Sequence, residues 1–186
     1  MAISLQKGQK VNIGLSQISV GLGWNPNEGT GGAFDLDASA FMLNESRKLV
    51  SDGHFIFYNN TDSPDQAVHY SGDDTTGGNS TGDDETILID LQKVGPEVQE
   101  ILFVVTIHEA NTRKQNFGQV RNSYIRIVDQ STSAEIAKYE LDEDFSIETG
   151  IEFGRLYRRD GQWKFEASGV GQREELGFFL AKYQTA

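Results

Sequence analysis

A chain of 186 residues with 37% hydrophobic side chains, eleven Phe and six Tyr can bury one core, which excludes global disorder and fits a single domain over 1–186. Its net charge of −12 excludes sequence-independent binding to nucleic-acid phosphates and disfavours direct docking on anionic lipid unless a cation bridges the two. The absence of cysteine excludes disulfides, thiolate metal sites and thiol redox chemistry.

Residues 1–8 lack the apolar core of a signal peptide, and no run of about 18 apolar residues follows, so a soluble cytoplasmic protein is expected. Phe34, Leu36, Ala38, Ala40 and Met42 alternate with Asp35, Asp37 and Ser39, the period of a strand. Phe55 to Tyr58 is a short aromatic strand, and Ile87, Ile89 and Leu91 alternate with Leu88 and Asp90. Pro96 followed by Glu97 to Glu100 predicts one short helical turn with proline in its first position. Ile101 to Ile107 is a continuous apolar run, as for a central strand buried on both faces. Tyr124 to Val128 and Glu135 to Leu141 follow as a pair joined by a polar turn. Ile151 to Arg159 and Gln162 to Ala167 flank Asp160-Gly161, the strongest hairpin signal, because a type I′ turn needs positive φ at both positions. Leu176, Phe179, Leu180 and Tyr183 recur at helical spacing, with Glu174 and Glu175 before them and Lys182 near the end. They predict a C-terminal amphipathic helix on a sheet. Short strands, frequent turns and twenty glycines predict a mainly β fold, an antiparallel β-sandwich.

The negative charge is unevenly placed. Residues 28–91 hold thirteen acids against Arg47 and Lys48, and the remainder holds fifteen acids against fourteen bases. Such crowding opposes a compact state unless the acids are solvated or a multivalent cation holds them. Ser71 to Glu85 contains only polar residues, glycine and five carboxylates: Asp73, Asp74, Asp83, Asp84 and Glu85. Calcium takes roughly 6–8 oxygen ligands, and this loop supplies them densely, with four glycines that let the backbone fold back. The spacing is not that of an EF-hand, and a solvated acidic loop fits the same composition. Asp35 and Asp37 share one strand face about 6.5–7 Å apart and add a second pair of carboxylates. Asn59 and Asn60 offer amide oxygens at another strand end, where on their own a turn role fits better than ligation.

Gly21-Leu-Gly-Trp24, residues 34–41, Phe57-Tyr-Asn-Asn60, Gly82-Asp-Asp-Glu85, residues 103–108 and residues 113–120 together resemble the TerD family of tellurite-resistance and stress-response proteins, and the likeness covers essentially the whole chain. The resemblance implies a β-sandwich with two neighbouring calcium sites near one end. It carries the ligand role onto Asp35, Asp37, Asp83, Asp84 and Glu85, then Asp73 and Asp74, then Asn59 and Asn60. Two departures stand out: Asp74 where the family has Asn, in a loop one residue longer, and Trp24-Asn25 where the family often has Trp-Asp. The family further implies work beside other stress-response proteins in assemblies near the inner membrane.

His54, His69 and His108 sit in different segments without a nucleophile pattern, and no P-loop, nucleophile elbow or Rossmann fingerprint occurs, so no enzyme is expected. Arg113-Lys-Gln-Asn-Phe117 reads either as a docking loop or as a loop that packs Phe117 inward. Arg155, Arg158, Arg159 and Lys164 form a small basic patch at the hairpin. The expected function is that of a calcium-binding stress-response sensor or scaffold. Its rivals are a C2-like module that attaches to membrane through calcium and an acidic scaffold that needs no ion.

Overall fold

A computed structural model describes residues 2–72, 74–78, 82–141 and 145–185. Its thirteen strands in chain order are β1 (Ile3–Ser4), β2 (Lys10–Ile13), β3 (Gln17–Gly23), β4 (Leu36–Leu43), β5 (Phe55–Ile56), β6 (Val68–Ser71), β7 (Glu85–Asp90), β8 (Glu100–Ile107), β9 (Tyr124–Asp129), β10 (Glu135–Glu140), β11 (Gly150–Arg159), β12 (Gln162–Glu166) and β13 (Val170–Gln172). The helices are α1 (Ala110–Arg113) and α2 (Leu176–Tyr183), with a 3-10 turn at Asp52–His54.

The strands form two sheets. The first runs β1-β10-β9-β3-β7-β6, and the second runs β2-β12-β11-β8-β4-β5 with β13 beside β11. All pairs are antiparallel except β1 with β10, which is parallel. One core cluster joins Ile18, Val20, Leu22 and Ile87 of the first sheet to Ala38, Met42, Phe103 and Phe153 of the second. This is the expected sandwich.

β8 is buried along its whole length, as its unbroken apolar run predicts, and it lies between β4 and β11. β4 is buried on both faces too. Leu36, Ala38, Ala40 and Met42 face the core, whereas Phe41 and Leu43 join a second cluster beneath Phe179 and Tyr183 of α2. The helix thus roofs the outer face of the second sheet, which places Asp37 and Ser39 on that outer side. Asp160 and Gly161 turn with φ of 53° and 72°, as the hairpin requires.

Two local expectations differ. The segment after Pro96 is a turn closed by Val98 N–H on Gly95 O, because Glu100 is already drawn into β8. Just before the Arg113-to-Phe117 loop, residues 110–113 make one helical turn, and Phe117 packs inward, fully buried, as one of the two readings of that loop has it. The hairpin arginines are not a free patch: Arg155 pairs with Glu100 and Glu166, and Arg158 donates to the carbonyls of Val94, Gly95 and Val98.

Candidate metal centre

The register brings the acidic segments to one end of the sandwich. Leu22 at the end of β3 pairs with Glu85 at the start of β7, and Leu36 at the start of β4 pairs with Ile107 at the end of β8. Glu85 links the two sheets. It alternates with Ile87 and Ile89, so its side chain enters between the layers, and it is 1% exposed. Its Oε2 accepts the amide of Ala38 at 2.7 Å. That amide lies on the edge of β4, which β5 covers only at Ala40 and Phe41. The carboxylate completes the edge where the short strand stops, and the end of the acidic loop therefore meets β4 one residue after Asp37.

Asp35 and Asp37 are buried, at 8% and 5% exposure. Asp37 Oδ2 lies 3.7 Å from His108 Nδ1, and Asp35 Oδ2 lies 3.9 Å from Arg113 Nη1. His108 N–H donates to Asp35 O, which fixes the backbone there. Asp84 turns to the first sheet: its amide donates to Leu22 O, and its Oδ2 accepts Trp24 N–H at 2.8 Å. Asp83 faces the outer side of that sheet, where its Oδ1 accepts from Arg126 Nε at 2.8 Å and from the Tyr124 hydroxyl at 2.9 Å. Burial, then the charge of Asp83 and its hydrogen bond, push the Tyr124 phenol well above its ordinary range.

Asp74 is occupied within its own loop. Its Oδ1 accepts Thr76 N–H, Thr76 Oγ1–H and Gly77 N–H. Partial burial pushes its pKa up, but these hydrogen bonds outweigh it and leave the carboxyl below its usual range. Asp73 lies outside the described residues. The Asn60 side chain donates to Gly53 O and Phe55 O, and its backbone closes a two-residue turn with Phe57, while Asn59 is an exposed turn residue. The register Ala40 with Ile56 nevertheless carries this turn toward the Asp37 end of β4.

The donors are all oxygens, the chemistry of a hard divalent cation. They are spread over three surfaces: the outer side of the second sheet, the space between layers and the outer side of the first sheet. Among the described residues no three acidic or histidine side chains stand close enough together to hold a metal ion. A cleft of about 390 Å³, lined by Trp24, Gly78, Asp84, Tyr124, Lys138 and Glu140, opens beside the loop. Trp24, Tyr124, Arg126 and His108 all contact candidate acids, although sequence reasoning assigns them no part in the site. Only Trp24 and His108 had a signal, in lying within the family-like strings. No described helix is long and apolar enough to cross a membrane.

Residues 1–183 match the TerD domain family. The chain is 47% identical to general stress protein 16U of Bacillus subtilis (strain 168) over 189 residues, covering 98% of this chain and 97% of that protein. It is 46% identical to tellurium resistance protein TerD of Serratia marcescens over 188 residues, with 98% and 97% covered. A crystal structure of a homologue of telluride resistance protein from Streptomyces coelicolor A3(2) superposes with a TM-score of 0.75 over 89% of this chain and 95% of that one. Its identity is 20%, so the likeness speaks for the fold alone.

Proposed function

Since the chain belongs to the TerD family, we propose that it is a calcium-binding protein of the tellurium and general stress response, acting as sensor or scaffold rather than as enzyme. The observation that carries this reading is the burial of Asp35, Asp37 and Glu85 at one end of the sandwich, beside a loop of further carboxylates. Buried carboxylates cost folding energy unless opposite charge meets them. A bound calcium ion would supply two positive charges to a stretch that holds thirteen acids and two bases.

In this reading Asp35, Asp37, Asp84 and Glu85 provide the anionic oxygens. Asp73 and Asp74 would add oxygens from the neighbouring acidic segment. Asp83 is held by Arg126 and Tyr124, so it serves as an anchor of the loop base more readily than as a direct ligand. Asn59 and Asn60 stay at the rim. Partners would recognise the ordered loop and its surroundings, among them other stress-response proteins, at the membrane surface or away from it.

One observation favours an ion-independent acidic scaffold: Asp35, Asp37 and Asp83 each stand within 4 Å of a protein cation or histidine. Calorimetric titration with calcium, paired with thermal melts, separates the two. The calcium reading expects measurable heat and a melting temperature that rises with calcium concentration, because binding to the folded state alone stabilises it. Millimolar-scale calcium that gives neither heat nor shift refutes the calcium reading, and capture of partners that persists in chelator then supports the scaffold. Vesicle co-sedimentation lost in chelator would point to membrane attachment.

A further inference from the structure

Residues 110–128 hold Arg113, Lys114, Arg121 and Arg126 and not one acid, in a chain whose net charge is −12. The turn of α1 ends on Lys114, whose backbone is left-handed with φ of 56°. The next residue, Gln115, goes inward to 7% exposure, and its backbone amide donates to Ala110 O. Its Nε2 donates to Gly32 O at 2.9 Å and to Ala33 O at 3.1 Å. Asn27 holds the same glycine-rich loop: its Nδ2 donates to Gly32 O, and its Oδ1 accepts Gly29 N–H. Between the two segments opens a cleft of about 290 Å³, lined by Arg113, Lys114 and Gln115 from one and by Asn27, Gly31 and Gly32 from the other. Among the described residues no carboxylate lines it.

Two features of this cleft call for a ligand. Arg113 lies 3.4 Å from Glu109 and 3.9 Å from Asp35, so its charge is already met. Lys114 is exposed, and among the described residues no carboxylate stands within 4 Å of it. Gln115 Oε1 is buried and no donor meets it. Turning the amide over would not help, because Nε2 is needed at the two carbonyls. A buried acceptor left without a donor is destabilising. We propose that the cleft binds a small oxyanion that still carries a proton, with Lys114 as counter-charge and Gln115 Oε1 as acceptor of the ligand's O–H. At neutral pH inorganic phosphate offers both acceptor oxygens and an O–H, whereas sulfate offers oxygens alone. A site that pairs a ligand O–H with a buried acceptor rejects the analogue that lacks it, since the acceptor is then left unpaired. None of these residues is a candidate calcium ligand, so the proposal stands apart from the calcium reading.

The test is calorimetric titration of the full chain with inorganic phosphate, in chelator and at fixed ionic strength so that screening stays constant. Saturable heat is expected at millimolar phosphate, with sulfate weaker by about ten-fold or more. Lys114→Asn removes the charge and suits the left-handed position. It should weaken phosphate binding by about ten-fold, while its melting temperature without phosphate stays that of the parent. Lys114→Arg should keep the binding. Arg159→Gln removes a cation from the opposite end of β11 and should change nothing. Absence of saturable heat, sulfate bound as well as phosphate, parent-like binding in Lys114→Asn, or equal damage from Arg159→Gln overturns the proposal. Because chelator is present throughout, none of these outcomes bears on the calcium reading.

Discussion

Glu85 combines two roles that substitution can separate. As an acceptor it satisfies Ala38 N–H, a donor at a sheet edge that the two residues of β5 do not reach. As a charge it is a candidate ligand buried between the layers. Removing the acceptor leaves a buried amide to pay its desolvation, so Glu85→Ala should lose about 1–3 kcal/mol of stability in chelator. Glu85→Gln keeps a carbonyl oxygen for that amide and should stay within about 1 kcal/mol of the parent under the same conditions. Both should abolish the calcium-dependent rise in melting temperature. Denaturant melts of the two variants, each with calcium and with chelator, measure this. A Glu85→Gln protein with the full calcium response would remove Glu85 from the site.

α2 shows what an element contributes beyond its own residues. Phe179 and Tyr183 pack on Phe41, Leu43, Leu102 and Val104, and the Tyr183 hydroxyl donates to Glu152 Oε1 at 2.6 Å beside Lys182 Nζ at 2.7 Å. Phe179→Ala should cost about 3–5 kcal/mol, or roughly 6–20 °C in melting temperature for a chain of this size. Tyr183→Phe should cost only about 1 kcal/mol, because Lys182 still faces Glu152. Thermal melts rank the two, and a Phe179→Ala melt equal to that of Tyr183→Phe would mean that the helix does not cover the sheet in solution. The stripe Leu176, Phe179, Leu180 and Tyr183 was legible because helical spacing is a strong local signal, and the same holds for β8 and the Asp160-Gly161 hairpin. β3 was not among the predicted strands although Ile18, Val20 and Leu22 alternate. Gly21 and Gly23 weaken its strand propensity, and its place between β7 and β9 is a tertiary fact. The candidate acids were legible as a composition. Their division among three surfaces was not, because the face of a side chain at a strand end depends on which sheet edge it closes. The counter-charges from Arg126, His108 and Arg113 come from segments more than twenty residues away and leave no local pattern.

Across the whole molecule, the acid excess of residues 28–91 is less frustrated than its sum suggests. Asp62 pairs with His69, and Asp90 receives Gln17 and stands 3.8 Å from Lys93. Asp65 accepts from Ser63, Ala67 and Gly95. Two forces then oppose each other on acidification. Protonation relieves repulsion in a chain of net charge −12. It also breaks hydrogen bonds that the ionised carboxylates accept. Asp65, Asp74 and Glu148 all have pKa values below the ordinary range: burial raises each, and hydrogen bonds from neighbouring amides and hydroxyls more than offset it. A carboxyl with a lower pKa folded than unfolded stabilises the fold above its unfolded value, near pH 4, and that contribution disappears as pH falls through the folded value. If the specific bonds dominate, stability in chelator should hold level from neutral pH to about pH 5, although net charge falls toward zero over that range, and decline below about pH 4. If repulsion dominates, stability should instead climb from neutral pH to a maximum near pH 4.6, where the net charge vanishes, and fall only below it. Thermal melts in chelator from pH 7 to pH 3 decide between them. The first outcome is expected, because Asp35, Asp37, Asp62 and Asp83 each already face a protein cation or histidine, and the hydrogen bonds tie Asp65 to the Gly95 turn and Asp74 to the loop that Trp24 holds.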